Sequence, residues 1–278
     1  MNASDGLGRI AVDHVSLQVG SGAGRIVALD DVSFTVAAGE FVCLLGPSGC
    51  GKSTLLSAVA GHLPPAAGSI HLDGHLVAGP DPERGLVFQQ SSLFPWRTVL
   101  QNVAFGLKMR GVPRAERLRQ AGAFLRRVGL GGFERHYPAQ LSGGMQQRAE
   151  IARVLITRPR VVLMDEPFGA LDAQTRVMMQ ELLLELWAQV RTTVVFVTHD
   201  IDEALFLADR IVVLSARPGR INEIITVDLP RPRTPGLTTD PAFIRLKRGC
   251  LDLVRQGALQ GLAHGDASLR PAMLAGGA

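Results

Sequence analysis

Short apolar runs, separated by turns and one helical segment, dominate the first third of the chain. Residues 10–19 and 32–36 alternate between apolar and polar positions, as half-buried strands do, whereas 41–45 is wholly apolar and typical of a strand buried on both faces. A helix is predicted to begin at Lys52 and to end at Gly61, because its apolar residues recur at helical spacing. Further strands are predicted at 69–72, 85–88, 161–166, 192–200, 211–215 and 220–229.

The hydrophobic periodicity of the sequence changes between about 95 and 159. Three segments there have helical periodicity, and none of the intervening residues has a convincing strand pattern. A long helix is then predicted near 173–190, between two strands of the buried type. The pattern therefore predicts one α/β domain over 10–229, with a β-rich N-terminal part and an inserted helical subdomain at about 95–159.

The last part of the chain is predicted to be an extension of that domain, from 230 to 278. Residues 230–241 are proline-rich and expected to be extended. Asp240 and Pro241 supply an N-cap and a favoured first position for a helix that is predicted to run to about Gln256. Beyond Gly257 the composition is dominated by Gly, Ala and Leu, which predicts a frayed tail.

Composition narrows the choice of protein class. Of the 278 residues 46% are hydrophobic and 19% are charged, so a sizeable core is expected. The net charge of +4 is too small to indicate nucleic-acid binding by itself. Three cysteines at unrelated spacings predict neither a disulfide framework nor a metal site, and they suit a reducing compartment. No signal-peptide pattern and no apolar run of bilayer length are recognised, so the chain is not expected to span a membrane.

A phosphate-binding loop is predicted between the apolar run at 41–45 and the helix at Lys52. The residues read Gly46-Pro47-Ser48-Gly49-Cys50-Gly51-Lys52-Ser53, followed by Thr54, and they fit the pattern G-x-x-x-x-G-K-[ST]. Glycines let backbone N–H groups surround a phosphate at the helix N-terminus. Lys52 is expected to reach the β- and γ-phosphates of a nucleotide, and the Ser53 hydroxyl is expected to bind Mg²⁺.

Two acids end the strand predicted at 161–166. The carboxyl ends of parallel strands meet at one edge of a sheet, so Asp165 and Glu166 are expected beside the phosphate loop. Asp165 would hold Mg²⁺ directly or through water, and Glu166 would orient the attacking water or accept its proton. An acidic strand end that merely caps the next helix is the alternative.

A second anion-binding helix N-terminus is predicted at Leu141-Ser142-Gly143-Gly144-Met145-Gln146-Gln147-Arg148. One such terminus suffices for one nucleotide. The second suggests a dimer in which each subunit covers the γ-phosphate bound by the other. A serine N-cap with flexible glycines is the simpler interpretation of the same residues.

These three motifs, in their order along the chain, resemble the ATP-binding subunit of ABC transporters, over about residues 10–228. The resemblance implies a P-loop NTPase core, ATP and Mg²⁺ as ligands, and an ATPase activity. It identifies Ser142, Gly143, Gly144 and Gln146 as signature residues that serve the opposite subunit's ATP. It also assigns Gln89 to the nucleotide and magnesium site, Asp172 to a loop at the dimer interface, and His199 to a catalytic contact with the γ-phosphate.

Two further segments resemble the nitrate, sulfonate and taurine importers within that family. They are 93–107, which begins Leu-Phe-Pro-Trp-Arg-Thr-Val, and 214–232, which begins Leu-Ser-Ala-Arg-Pro-Gly-Arg-Ile. Phe94 and Trp96 are suited to form a hydrophobic socket for a partner's helix. Packing under the helical insert is the alternative role for both side chains.

The resemblance implies a peripheral ATPase on the cytoplasmic face of the inner membrane that powers the import of a small anion. Its expected partners are a second copy bound upon ATP binding, integral-membrane permease subunits and, indirectly, an extracytoplasmic solute-binding protein; nucleic acid is not among them. A soluble ABC ATPase that acts on nucleic acid or ribosomes is the alternative. A phosphoryl-transfer kinase would leave residues 141–148 without a role.

Val19 departs from the family pattern. Members usually carry an aromatic residue at the end of the first strand, where it stacks on adenine. Either Val19 contacts adenine here, or another side chain fills the place, or the correspondence is shifted across the glycine-rich turn at 20–24.

Overall fold

The computed structural model describes residues 6–20 and 22–263, except for the side chains of 23 and 258–263. Its strands are β1 (Ile10–Val19), β2 (Ile26–Val36), β3 (Phe41–Leu45), β4 (Ala67–Leu72), β5 (His75–Leu76), β6 (Arg84–Val87), β7 (Val161–Asp165), β8 (Thr193–Thr198), β9 (Arg210–Leu214) and β10 (Ile221–Thr226). Its α-helices are α1 (Lys52–Ala60), α2 (Val99–Val103), α3 (Phe105–Met109), α4 (Arg114–Arg127), α5 (Gly143–Leu155), α6 (Ala173–Val190), α7 (Ile201–Leu207) and α8 (Pro241–Ala263). None of the helices in these described ranges is long and apolar enough to cross a membrane.

The chain forms two compact units. We call one the helical unit; it comprises the stretch ending at Gly8, Ala37–Glu40 and Pro80–Phe196. We call the other the phosphate-loop unit; it comprises Arg9–Val36, Phe41–Gly79 and the chain from Val197 onward.

Two sets of strands build the phosphate-loop unit. An antiparallel sheet has the order β2-β1-β4-β5, and its β1–β2 register pairs Ile10 with Val36 and Val19 with Ile26. In the second set β3 runs parallel to β9, and β10 pairs with β9 in the antiparallel sense. All five residues of β3 are buried, as expected for an apolar run in the middle of an α/β core. This strand leads directly into the phosphate loop.

The helical unit contains β6, β7 and the part of β8 up to Phe196, in the order β8-β7-β6, and β6 runs parallel to β7. The chain between β6 and β7 forms α2, α3, α4 and α5, with a short 3-10 helix at Pro138–Gln140. Buried Val161, Val162, Leu163 and Met164 give β7 the apolar character seen in its sequence. The strand therefore delivers the two candidate acids at its carboxyl end.

Several element boundaries differ from the predictions. β2 begins at Ile26 rather than at 32, because its first residues extend the pairing with β1. The segment expected to be extended contains a 3-10 helix at Pro235–Thr239, in which the Thr238 and Thr239 hydroxyls donate to nearby carbonyl oxygens. The final helix continues past Gln256 to Ala263.

Gly257 lies within α8, at a point where the helix packs closely against neighbouring residues. A Cβ at Gly257 would lie 2.9 Å from the Asn222 Nδ2 atom and 3.5 Å from the Ser215 Cα atom. The glycine therefore lets the helix approach β9 and β10 closely at the position where the sequence predicted fraying. The rest of the predicted tail, 264–278, lies outside the described residues.

Candidate nucleotide-binding site

The phosphate loop connects β3 to α1, and its glycines are required by geometry. Gly49 and Gly51 have φ values of 78° and 100°, in the left-handed region that side-chain-bearing residues avoid. A Cβ at Gly51 would also lie 2.8 Å from the Leu29 Cγ atom and 3.0 Å from the Ala28 carbonyl oxygen. The backbone can therefore take this path only with glycine at these positions.

Lys52 is buried at the start of α1, with 5% of its surface exposed. Its Nζ atom donates hydrogen bonds to the carbonyl oxygens of Gly46, at 2.8 Å, and Pro47, at 2.9 Å. The ammonium group is thus held inside the loop, at a helix N-terminus that favours anions. Ser53 follows on the exposed side of the same turn.

Sequence reasoning missed the residues that support this loop. The Arg217 guanidinium donates to the Gly49 carbonyl oxygen, with its Nη2 atom at 3.1 Å. A Cβ at Gly219 would lie 2.1 Å from the Cys50 carbonyl oxygen, so this close approach needs glycine. The sequence signal for both residues is the Arg-Pro-Gly turn at 217–219, after β9.

Cys50 fills the inner side of the loop. It is 1% exposed, and burial raises the pKa of its thiol above the ordinary value while neighbouring Lys52 partly opposes this effect. The thiol is therefore neutral at physiological pH and serves as a packing group.

The two strand-end acids lie at the carboxyl end of β7. Asp165 is its last residue, Glu166 follows, and both side chains are half-buried. Glu166 has a φ of 42°, a left-handed conformation that is uncommon for a residue with a side chain. Its carbonyl oxygen accepts a hydrogen bond from the Gly169 N–H at 3.2 Å, which closes a tight turn after the strand.

The signature residues begin α5. Ser142 is the N-cap, and its hydroxyl accepts a hydrogen bond from the Met145 N–H at 3.3 Å. Ser142 and Gly143 are exposed, whereas Gly144 is buried. A Cβ at Gly144 would lie 2.7 Å from the Thr175 Cγ2 atom of α6, so the second glycine allows close helix packing.

Gln146 and Asp172 hold local structure around these helices. The Gln146 Nε2 atom donates to the carbonyl oxygens of Pro138, at 3.0 Å, and Leu141, at 3.3 Å. Asp172 is the exposed N-cap of α6 and accepts from the Thr175 N–H at 3.0 Å. Hydrogen bonds from Thr175 lower the pKa of this carboxyl group, which therefore stays ionised beside the helix N-terminus.

Gln89 and His199 both follow strands. Gln89 is exposed two residues after β6 ends, and His199 is exposed directly after the buried Thr198 at the end of β8. Asp200 then caps α7 by accepting from the Asp202 N–H at 2.9 Å and the Glu203 N–H at 3.2 Å.

The candidate residues are divided between the two units. The phosphate-loop unit carries 46–54, His199 and Val19, which is half-buried where β1 ends. The helical unit carries Gln89, Asp165, Glu166, Asp172 and the signature residues. Their roles in ATP chemistry stay predictions.

The aromatic residues of 93–107 behave in two different ways. Phe94 packs edge-to-face against Phe105, with 4.8 Å between ring centroids, as the packing alternative predicts. Trp96 is 71% exposed although its ring lies 5.7 Å from that of Phe94. A large exposed tryptophan beside a packed phenylalanine pair is the kind of feature that a partner protein can cover.

A buried strand, a glycine loop with an inward lysine, a following helix and acids at the end of another strand define a phosphate-loop nucleoside triphosphatase. Residues 29–169 match the family described as ABC transporter. The chain belongs to this family, and it is an ATP-hydrolysing member of it.

Similar proteins cover most of the chain. An uncharacterized ABC transporter ATP-binding protein of Methanocaldococcus jannaschii is 52% identical over 86% of this chain and 88% of its own length. A nitrate import ATP-binding protein of Synechocystis is 47% identical over 84% of this chain and 90% of its own length. A taurine import ATP-binding protein of Yersinia pestis is 48% identical over 82% of this chain and 92% of its own length.

Solved structures support the same fold. A dimeric ATP-binding cassette in a post-hydrolysis state bound to ADP and Pi has a TM-score of 0.69 and 34% identity, covering 78% of this chain and 98% of its own. A second dimeric structure of that bacterial ABC transporter cassette has a TM-score of 0.71 and 35% identity, with the same coverage. The predicted P-loop NTPase fold class is thereby confirmed.

Proposed function

We propose that this chain is the ATP-hydrolysing subunit of an importer for a small anion such as a sulfonate, taurine or nitrate. The observation that carries the proposal is the presence, on one chain, of a complete phosphate loop and a serine-capped signature helix with exposed Ser142 and Gly143. The names of the nitrate and taurine relatives support the choice of solute class.

In the proposed mechanism the phosphate-loop unit binds the triphosphate. The amides of 46–54 and the ammonium group of Lys52 would hold the phosphates, since phosphate oxygens are stronger acceptors than the loop carbonyls that Lys52 now contacts. His199 would contact the γ-phosphate.

The donors for Mg²⁺ fit its preference for oxygen. The hydroxyl of Ser53, the carboxylate of Asp165 and the amide oxygen of Gln89 are hard ligands, and none of the three side chains is fully buried. When bound, Mg²⁺ would neutralise charge on the transferred phosphate. Glu166 would orient the attacking water and take its proton.

The proposed partners follow from the composite site. Two copies would associate on ATP binding, each presenting Ser142, Gly143, Gly144 and Gln146 to the nucleotide of the other, with Asp172 at the interface. The pair would act at the cytoplasmic face of the inner membrane, on permease subunits supplied by other chains. An extracytoplasmic protein would deliver the solute to them.

An uptake assay in the organism that encodes the chain tests the proposal. Deleting the encoding gene should abolish energy-dependent uptake of labelled taurine, an alkanesulfonate or nitrate, and the wild-type gene should restore it. A gene carrying Glu166→Gln should not restore uptake, although the protein accumulates normally.

The result that would contradict importer function is equally concrete. Unchanged uptake of all three solutes, together with co-sedimentation of the chain with ribosomes or DNA, would favour the soluble alternative. Recovery of the chain with membrane permease subunits in a pulldown would support the importer.

A further inference from the structure

Glu150 is a carboxylate with a fully buried side chain on α5, and the mechanism above gives it no role. Burying an ionised carboxylate is expensive unless hydrogen bonds and an opposite charge compensate it. Its partners therefore indicate what the group does.

The partners of Glu150 lie on the loop that carries Gln89. The Oε2 atom of Glu150 accepts from the Ser92 N–H at 3.0 Å, and its Oε1 atom accepts from the Ser92 hydroxyl at 2.8 Å. A longer contact of 3.5 Å joins the Phe88 N–H to Oε1. The carboxylate thus holds the loop on both sides of Gln89.

Arg153 completes the arrangement on the same face of α5. Its guanidinium lies 3.7 Å from the Glu150 carboxylate, and its Nη1 atom donates to the Ser92 carbonyl oxygen at 2.9 Å. Its Nη2 atom donates to the Ser92 hydroxyl. The same guanidinium lies 5.6 Å from the centroid of the Phe94 ring, and that ring in turn lies 5.7 Å from the ring of Trp96.

We propose that Glu150 and Arg153 are positioning residues that fix the loop 88–94 to the signature helix and so hold Gln89 where hydrolysis needs it. The inference rests on the proposed function, in which Gln89 serves the magnesium site. Ser142 and Glu150 are about 12 Å apart along one rigid helix, at 1.5 Å per residue. A displacement of α5 is therefore passed to Gln89 through the buried carboxylate.

Glu150→Gln tests the proposal with little change of shape. The amide cannot accept from Ser92 at both atoms, and its NH₂ group would face the donors of Ser92 and Arg153. We expect kcat for ATP hydrolysis to fall by about tenfold or more, since a misplacement of about 1 Å can cost about 10²-fold. Equilibrium binding of ATP without Mg²⁺ should stay unchanged, because the phosphate loop is untouched.

Two further variants separate positioning from folding. Ser92→Ala removes the hydroxyl from the loop side and should lower kcat in the same direction but by less, since the Ser92 N–H still reaches Glu150. Glu116→Gln is the matched control: it removes a carboxylate of α4 that pairs with Arg119 on the surface, and it should leave kcat unchanged.

A double-mutant cycle measures whether the effects of two substitutions on kcat are coupled. A purely structural role of Glu150 would produce no coupling with Gln89. Gln89→Ala should itself slow hydrolysis. If Glu150 acts through Gln89, adding Glu150→Gln or Ser92→Ala to Gln89→Ala should change kcat by no more than about twofold, the margin of additivity. Losses that multiply would overturn the proposal.

The remaining outcomes distinguish this inference from the proposed function. If Gln89→Ala hydrolyses ATP slowly but Glu150→Gln and Ser92→Ala both keep the wild-type kcat, only the positioning role is overturned. Wild-type kcat in Gln89→Ala overturns it together with the role of Gln89 in the site. If Glu150→Gln does not fold, Ser92→Ala decides by the same cycle.

Discussion

Glu166 is the candidate site residue whose backbone conformation is most unusual. Its left-handed backbone conformation costs about 1–3 kcal/mol and is found where surrounding structure enforces it, often in active sites. The following Pro167 and Phe168 are buried, and the Phe168 ring lies 5.7 Å from that of Phe196. This packing fixes the turn and holds the carboxylate at the strand end.

Glu166→Gln is expected to abolish hydrolysis and to preserve binding. The amide keeps the shape but cannot accept a proton, so phosphate release should fall by about 10²–10⁴-fold. ATP should remain bound in a trapped dimer, detected by size-exclusion chromatography with ATP and Mg²⁺. Hydrolysis near the wild-type rate would show that Glu166 is not the base.

Val19→Tyr tests how adenine is held. A base stacked on an aromatic side chain gains about 1–3 kcal/mol, which corresponds to roughly 5–150-fold tighter ATP binding. The preference for ATP over CTP should also increase, because a purine overlaps more of the ring. Competition binding with ATP, GTP and CTP measures both effects; unchanged affinity and ranking would mean that Val19 does not contact the base.

At the scale of elements, the C-terminal extension holds α7, the helix that follows His199. Lys247 of α8 pairs with Asp202 in the first turn of α7, at 2.7 Å. Arg233, which is 6% exposed, donates to the carbonyl oxygens of Leu205, Phe206 and Ala208 at the other end. Burial lowers the pKa of Arg233 to about 10, and it remains charged at physiological pH.

Arg233→Ala should therefore destabilise the protein. It leaves several carbonyl oxygens at the end of α7 without their donor, for which we expect a loss of about 3 kcal/mol in the free energy of unfolding. Urea denaturation measures the change. Arg248→Ala, an exposed arginine on α8, is the control and should stay within about 0.5 kcal/mol of the wild type; equal losses in both variants would refute the capping role.

At the scale of the whole molecule, the proposed composite site would require two chains. Ser142 and Gly143 are exposed at the start of α5, and the related cassettes of known structure are dimeric. Each subunit is thus expected to contribute the phosphate loop to one site and the signature to the other.

Mixing two inactive variants tests this geometry. Ser142→Arg should block closure over the γ-phosphate while each subunit still binds ATP, and Lys52→Ala should weaken ATP binding itself. In a mixed dimer one site carries both defects and the other carries neither, so some hydrolysis should return. The absence of any recovery, once mixed dimers are demonstrated by differential tagging, would count against composite sites.

Features with a local cause could be predicted from the sequence. The phosphate loop follows from glycines that allow positive φ values, and the predicted cap Ser142 bonds to the amide of Met145, three residues away. Such interactions depend on neighbours in the chain, so their spacing is visible in the sequence.

Features that join distant segments became visible only in the folded structure. Arg217 reaches Gly49 across 168 residues, and Glu150 reaches Ser92 across 58. At Gly257 the helix α8 passes so close to Asn222 and Ser215 that an added Cβ would contact both residues. Propensity within a window contains no information on these partners, because packing and burial of polar groups depend on which segments the fold brings together.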